Sequence, residues 1–189
     1  MKTFKFSLLS LTAVLALWSS LWIARDFGWE SQRYFSTQSV WLSLVCCGVM
    51  GFSWGSPKLQ STLVSITTFN MIIAGAVYHT LLNVENVGLR GHLAHTFVPV
   101  LMVLIYFLFL SEGLALRRFY LMLIYPIVYL TTFVLIGPLI AWYPYDFMDV
   151  SLHGLDGVLI YSFSFLTPAF IMLAGLLVIT KKHVPSVKH

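Results

Sequence analysis

Apolar residues in this chain come in six blocks of about twenty, at roughly 6–24, 37–54, 61–82, 93–110, 119–142 and 158–180. A helix rises about 1.5 Å per residue, so about twenty apolar residues cross the roughly 30 Å of a bilayer's hydrocarbon. Composition agrees. The 189 residues are 59% hydrophobic and only 10% charged, whereas a soluble domain carries about 25% charged residues to wet its surface. The same apolar excess excludes intrinsic disorder. The expected fold is an all-α integral membrane protein, one six-helix transmembrane domain over 1–189. Its loops are short, so neighbouring helices run antiparallel, as in an up-and-down bundle. No room is left for a soluble domain, and no repeat or low-complexity linker stands out.

Lys2 and Lys5 precede the first block, as in a secretory signal. The block is nevertheless of span length. It ends in Trp22-Ile23-Ala24-Arg25, without a small-x-small cleavage site, and reads as a retained helix.

Charge orients the bundle. With six spans both termini share a side. That side holds eight basic residues: Lys2, Lys5, Lys58, Arg117, Arg118, Lys181, Lys182 and Lys188. The other side holds Arg25, Arg33 and Arg90. The positive-inside rule then puts both termini in the cytoplasm. The acids sort the other way: Asp26, Glu30, Glu85, Asp146, Asp149 and Asp156 lie outside, and Glu112 inside. The net charge of +4 is thus a topology signal, and nucleic acid is not an expected partner.

Polar residues near hydrocarbon are costly and are candidates for function. This topology gathers them in the outer layer. Ser36 and Thr37 open span two, His79 closes span three, and His92 and His95 open span four. Tyr143, Asp146, Asp149 and His153 follow span five. The layer holds the parts of a nucleophilic hydrolase. A hydroxyl needs a base to take its proton, and His is the usual one near neutral pH. Ser36 and Thr37 also fall in the first turn of a helix, where free backbone N–H groups can stabilise an oxyanion.

Each residue also has a structural reading. Ser36 before an apolar run is a good helix cap. An interfacial His can be a hydrogen-bonded anchor. His92 and His95, three apart, can ligate zinc with His79 or Asp149, and two membrane histidines can hold a haem. The expected site nonetheless holds no metal and no cofactor. Trp142 and Tyr143 suit an interfacial belt. Cys46 and Cys47, adjacent, read as small packing residues without a disulfide. Gly51 and Gly55 offer a weak close-approach motif. Pro99, Pro126, Pro138 and Pro168 fall within spans and should kink them. The Ser/Thr-rich start of span three, with Asn70, reads as bonding to backbone or neighbouring helices.

Two segments carry a family resemblance. Gly91-His92-Leu93-Ala94-His95-Thr96-Phe97-Val98-Pro99 resembles a signature of the androgen-induced protein family of membrane hydrolases, and more closely that of its bacterial six-pass relatives. Tyr125-Pro126-Ile127-Val128-Tyr129, then Trp142-Tyr143-Pro144-Tyr145-Asp146-Phe147-Met148-Asp149 and Gly154, agree in order and spacing. The resemblance spans nearly the whole chain and is strongest over 92–161. It implies cleavage of fatty acid esters of hydroxy fatty acids, with a threonine nucleophile early in the chain and a histidine in a His-x-x-x-Pro segment, His95 here. The threonine's place falls on Ser36, so Ser stands where the family has Thr. Either Ser36 serves, or the register slips to Thr37, or activity is lost. Val40 also departs from the Asn common in the bacterial relatives.

The expected function is therefore hydrolysis of a lipid ester within a membrane, by Ser36 or Thr37 with His95 as base. Asp146, Asp149 or His92 would orient His95, and His79 and Tyr143 would border the pocket. Membrane lipid and the ester are the partners, and a bacterial inner membrane is the expected location. A lipid- or solute-binding or transport protein, a His-ligated metal or haem protein, and a structural subunit are the rival readings.

Overall fold

The computed structural model describes residues 2–81, 88–110 and 113–183. Glu85, Glu112, Lys188 and His189 lie outside the described residues. Among those described the chain is all-α, without strands. The long helices are α1 (Lys2–Phe27), α2 (Phe35–Gly51), α3 (Pro57–Thr80), α4 (Leu89–Phe109), α5 (Tyr120–Ile140) and α6 (Val150–His183), the last broken at Gly154, whose φ of 70° and ψ of 159° are not helical. Short 3-10 turns at Trp29–Arg33, Leu116–Arg118 and Asp146–Met148 connect them. Five segments are long and apolar enough to cross a membrane, as expected of a multi-pass membrane protein. The sixth apolar helix, α2, has 17 residues, about 26 Å of rise. It stops at Gly51 and turns back through Ser53 and Gly55, both at positive φ.

Local chemistry accounts for the starts and interruptions. Ser56 caps α3 by accepting the Leu59 N–H, with Pro57 in the first turn, where its missing N–H costs nothing. In α4 the stretch Leu93–Phe97 is a π turn, and Val98 donates to Leu93 five residues back. In α6 the stretch Ser162–Leu166 is a second one, with Thr167 donating to Ser162. A proline stands two residues after the end of each π turn, Pro99 or Pro168. A proline lacks the donor for the carbonyl four residues back and its ring crowds that carbonyl, so a locally wider turn relieves the clash. Pro126 and Pro138 instead sit inside the regular helix α5. The four prolines are therefore not equivalent kinks.

The helix α3 is the hub, packing against α2, α4, α5 and α6, while α1 lies along α2 and α4. The side of α1 that packs inward includes Thr12, Ala16, Ser19, Ser20 and Ala24, small residues that let backbones approach. Two of its hydroxyls are satisfied locally, Thr12 by the Leu8 carbonyl and Ser19 by that of Ala16, while that of Ser20 has no partner among the described residues. In α3, Thr62 and Ser65 bond carbonyls one turn back, and Thr68 donates to the Met102 carbonyl of α4 at 3.2 Å. An interhelical bond of this kind contributes about 0.6 kcal/mol in a membrane, so close packing carries most of the cohesion. Phe69, Met71, Met102, Ile105, Tyr106 and Met122 are fully buried in that packing.

Two expectations about small residues resolve differently. Cys46 and Cys47 are buried free thiols that pack. Gly51 has nothing within reach of a Cβ, so the Gly51/Gly55 pair makes no close helix approach. Gly75 does. A Cβ there would sit 2.8 Å from the His95 carbonyl oxygen. Pro99 is four residues beyond His95, so that carbonyl lacks its ordinary helical donor and is turned towards α3.

Candidate active site

A cavity of about 1180 Å3 opens at the end of the bundle where α1 ends and α2 begins. Its wall draws on every long helix except α5, whose following loop contributes instead. Ile23 and Phe27 come from α1, Ser36 and Thr37 from α2, and Tyr78 from α3. Arg90 and His95 come from α4, and His153 and Tyr161 from α6. The loop after α5 adds Trp142, Pro144, Tyr145, Asp146 and Phe147.

Ser36 and Thr37 occupy the first turn of α2, whose cap is Tyr34, without a side-chain capping bond. Ser36 is therefore two positions too deep to be the cap that its sequence context suggests. Its hydroxyl and backbone N–H, with the Phe35 N–H, lie against the Tyr145 phenol. Burial pushes that phenol up to about 12, outweighing these donors, so Tyr145 is a neutral hydroxyl near pH 7. Tyr145 in turn meets Tyr34 edge to face at 5.9 Å. Thr37 is 2% exposed, whereas Ser36 is half-buried. Further along α2, Gln38 accepts a hydrogen bond from Tyr125, and Tyr129 donates to the Arg33 carbonyl at 2.8 Å. These two bonds anchor the start of α2 to α5.

His95 sits in the middle of the π turn. Its imidazole stacks on Tyr78, with centroids 3.8 Å apart and planes within 3°. Its buried Nδ1 has no hydrogen-bond partner among the described residues, although the Ala74 carbonyl of α3 lies nearby. His79 and His92 of this layer are held elsewhere. Thr96 stands between His79 (2.9 Å from its Nε2) and His92 (3.3 Å from its Nδ1). Neither lines the cavity. Asp149 caps α6: its Oδ1 accepts from the Ser151 N–H at 2.7 Å, the Leu152 N–H at 3.3 Å and the Ser151 hydroxyl. The Ser151 hydroxyl holds this carboxyl below the usual carboxylate range. Tyr143 lays its ring on Gly137, where any Cβ would collide with it. Among the described residues no cluster of three or more His, Cys, Asp or Glu is arranged to hold a metal ion.

Of the residues singled out from sequence, Ser36, Thr37, His95, Asp146 and His153 share the cavity; His79, His92, Tyr143 and Asp149 do not line it. Sequence reasoning missed Tyr78, one residue before His79. It quoted Tyr145 in a motif without giving it a task. It also missed Arg90 at the rim, which pairs with Asp26 of α1 and lies 4.3 Å over the Phe27 ring. A tyrosine one turn from a helix end is common enough that sequence carries no signal for Tyr78. The partner of Arg90 lies 64 residues away.

Comparison with known protein families, with curated proteins and with solved structures yields no match for this chain.

Proposed function

We propose that the chain is an intramembrane hydrolase of lipid esters, in six spans with both termini cytoplasmic, in a bacterial inner membrane. The observation that carries the reading is the joining of Ser36 and Thr37 with His95 in the wall of one cavity, although they come from α2 and α4. The cavity's apolar walls, among them Ile23, Phe27, Leu81 and Phe147, suit an acyl chain.

In this reading a hydroxyl at the start of α2 attacks the ester carbonyl while His95 takes its proton. The tetrahedral oxyanion draws on the Phe35 and Ser36 amides and the Tyr145 hydroxyl. Collapse expels the alcohol, which receives the proton from His95. Water, deprotonated by His95, then releases the acid and restores the hydroxyl. Ser36 is the nucleophile of choice, because it is the more open to the cavity and touches Tyr145. The family resemblance suggests fatty acid esters of hydroxy fatty acids as substrates. The chemistry needs no cofactor. The buried Nδ1 of His95 has no hydrogen-bond partner among the described residues, so the Tyr78 stack is what orients the base.

The test is labelling of the detergent-purified protein with a fluorophosphonate, the adduct located by peptide mass spectrometry. An adduct on Ser36 that is lost in His95→Ala supports the reading. Full labelling and ester turnover in His95→Ala would overturn it.

A further inference from the structure

A second cavity, of about 570 Å3, lies at the opposite end of the bundle. The helix α2 joins the two: Ser36 lines the first and Met50 the second, roughly 21 Å apart along the axis at 1.5 Å per residue. Four cations line this second cavity: Lys5 of α1, Lys58 of α3, and Arg117 and Arg118 of the turn before α5. They come from three elements far apart in sequence, so the fold alone brings them together. The two ion pairs among the described residues are Arg33–Glu30 and Arg90–Asp26, and neither involves these four. Glu112 lies outside the described residues.

The neutral polar groups of this cavity are already engaged. Ser56 caps α3, Gln60 donates to the Trp54 carbonyl, and Thr62 donates to the Lys58 carbonyl. Recognition at this site therefore falls to the four charges, with the positive end of the α3 dipole beside them. Four like charges around one cavity repel, and an anion between them relieves that repulsion. Two adjacent guanidinium groups match the oxygens of a phosphate, because each offers parallel donors. Phe109, Leu110 and Leu114 form an apolar flank to the same cavity. A free anion has no use for that flank, whereas an amphiphile does.

We propose that this cavity binds the phosphate head group of an anionic phospholipid, with its glycerol and upper acyl carbons against Phe109, Leu110 and Leu114. Basic pockets between transmembrane helices recognise anionic lipids in this way. The inference does not depend on the hydrolase reading, since the two cavities share no residue.

Native mass spectrometry of the full chain in mild detergent tests it, by titration with phosphatidylglycerol, with phosphatidylcholine, and with inorganic phosphate as competitor. Phosphatidylglycerol should be retained over phosphatidylcholine. Each cation removed should weaken retention about fivefold, so the R117Q/R118Q pair should lose roughly 25-fold, and R117K/R118K, which keeps the charge but not the parallel donors, should lose less than that pair. The K2Q/K182Q pair removes two charges outside the cavity and should leave retention unchanged. Should R117Q/R118Q fail to fold, Lys58→Gln alone carries the test. Equal retention of the two lipids, or equal losses from the cavity pair and the outside pair, would overturn the proposal. Displacement of phosphatidylglycerol by an equal concentration of inorganic phosphate would do so too, by showing a free-phosphate site instead.

Discussion

His95 and Tyr78 stack face to face, their centroids 3.8 Å apart, although they belong to different helices. The contact depends on backbone features around it. The π turn places His95 on the cavity side of α4, Pro99 frees its carbonyl, and Gly75 leaves room for that carbonyl against α3. The stack fixes the plane of the ring that the proposed mechanism uses as base.

Tyr78→Leu removes the stack and leaves an apolar side chain. Aromatic pairs contribute about 0.5–1.5 kcal/mol beyond area burial. The rate of fluorophosphonate labelling should therefore fall roughly two- to tenfold, and Tyr78→Phe should stay near the parent rate. Equal rates for all three proteins would show that the stack does not position His95.

Gly75→Ala pushes a methyl against the His95 carbonyl oxygen, a backbone atom that cannot swing aside. Overpacking of this kind costs about 1–3 kcal/mol. Thermal unfolding in detergent should shift down, and labelling should fall with it. Gly51→Ala, which meets nothing within 4 Å, is the control and should do neither.

Ser36→Ala should abolish the adduct. Thr37→Val keeps the volume of a nearly buried side chain and should retain it. Loss of labelling in Thr37→Val alone would move the nucleophile one residue along.

Asp149 has its carboxyl held low in the folded protein by Ser151. An unfolded Asp titrates near about 3.9. The stabilisation is thus complete above that pH and is lost as pH falls through the lower native value. Asp149→Asn retains a capping oxygen but does not titrate, so it should flatten the fall in stability below about pH 4 without changing labelling at neutral pH. An unaltered acid limb would remove Asp149 from this role.

Lys181 is 3% exposed, and its ammonium donates to the Phe107 carbonyl in the last turn of α4 at 2.9 Å. Tyr106 makes the reverse tie, to the Leu177 carbonyl at 3.2 Å. Lys181→Met keeps the stem but leaves the carbonyl without its charged donor, at a cost of about 1–3 kcal/mol. A lower unfolding temperature with unchanged labelling is the expected result.

Hydropathy blocks are local, and they marked five of the six helices to within about four residues: the block at 61–82 corresponds to Pro57–Thr80, and that at 93–110 to Leu89–Phe109, whereas α6 begins at Val150, eight residues before its block. Charge and hydrogen-bonding capacity are local as well, so Ser36, Thr37, His95, Asp146 and His153 could be drawn into one layer from the order of the blocks alone. That much the sequence determined by itself. It did not distinguish His95 from His92 and His79, because a helix apolar on nearly every face carries no mark of which side meets which neighbour. Rotation of each helix about its axis decided that. It turned His79 and His92 to Thr96 and His95 to Tyr78 and the cavity, and it gathered Lys5, Lys58, Arg117 and Arg118 around another. Such rotations are set by packing between helices distant in sequence, with Gly75 against His95 as the tightest example, and only the assembled bundle contains them.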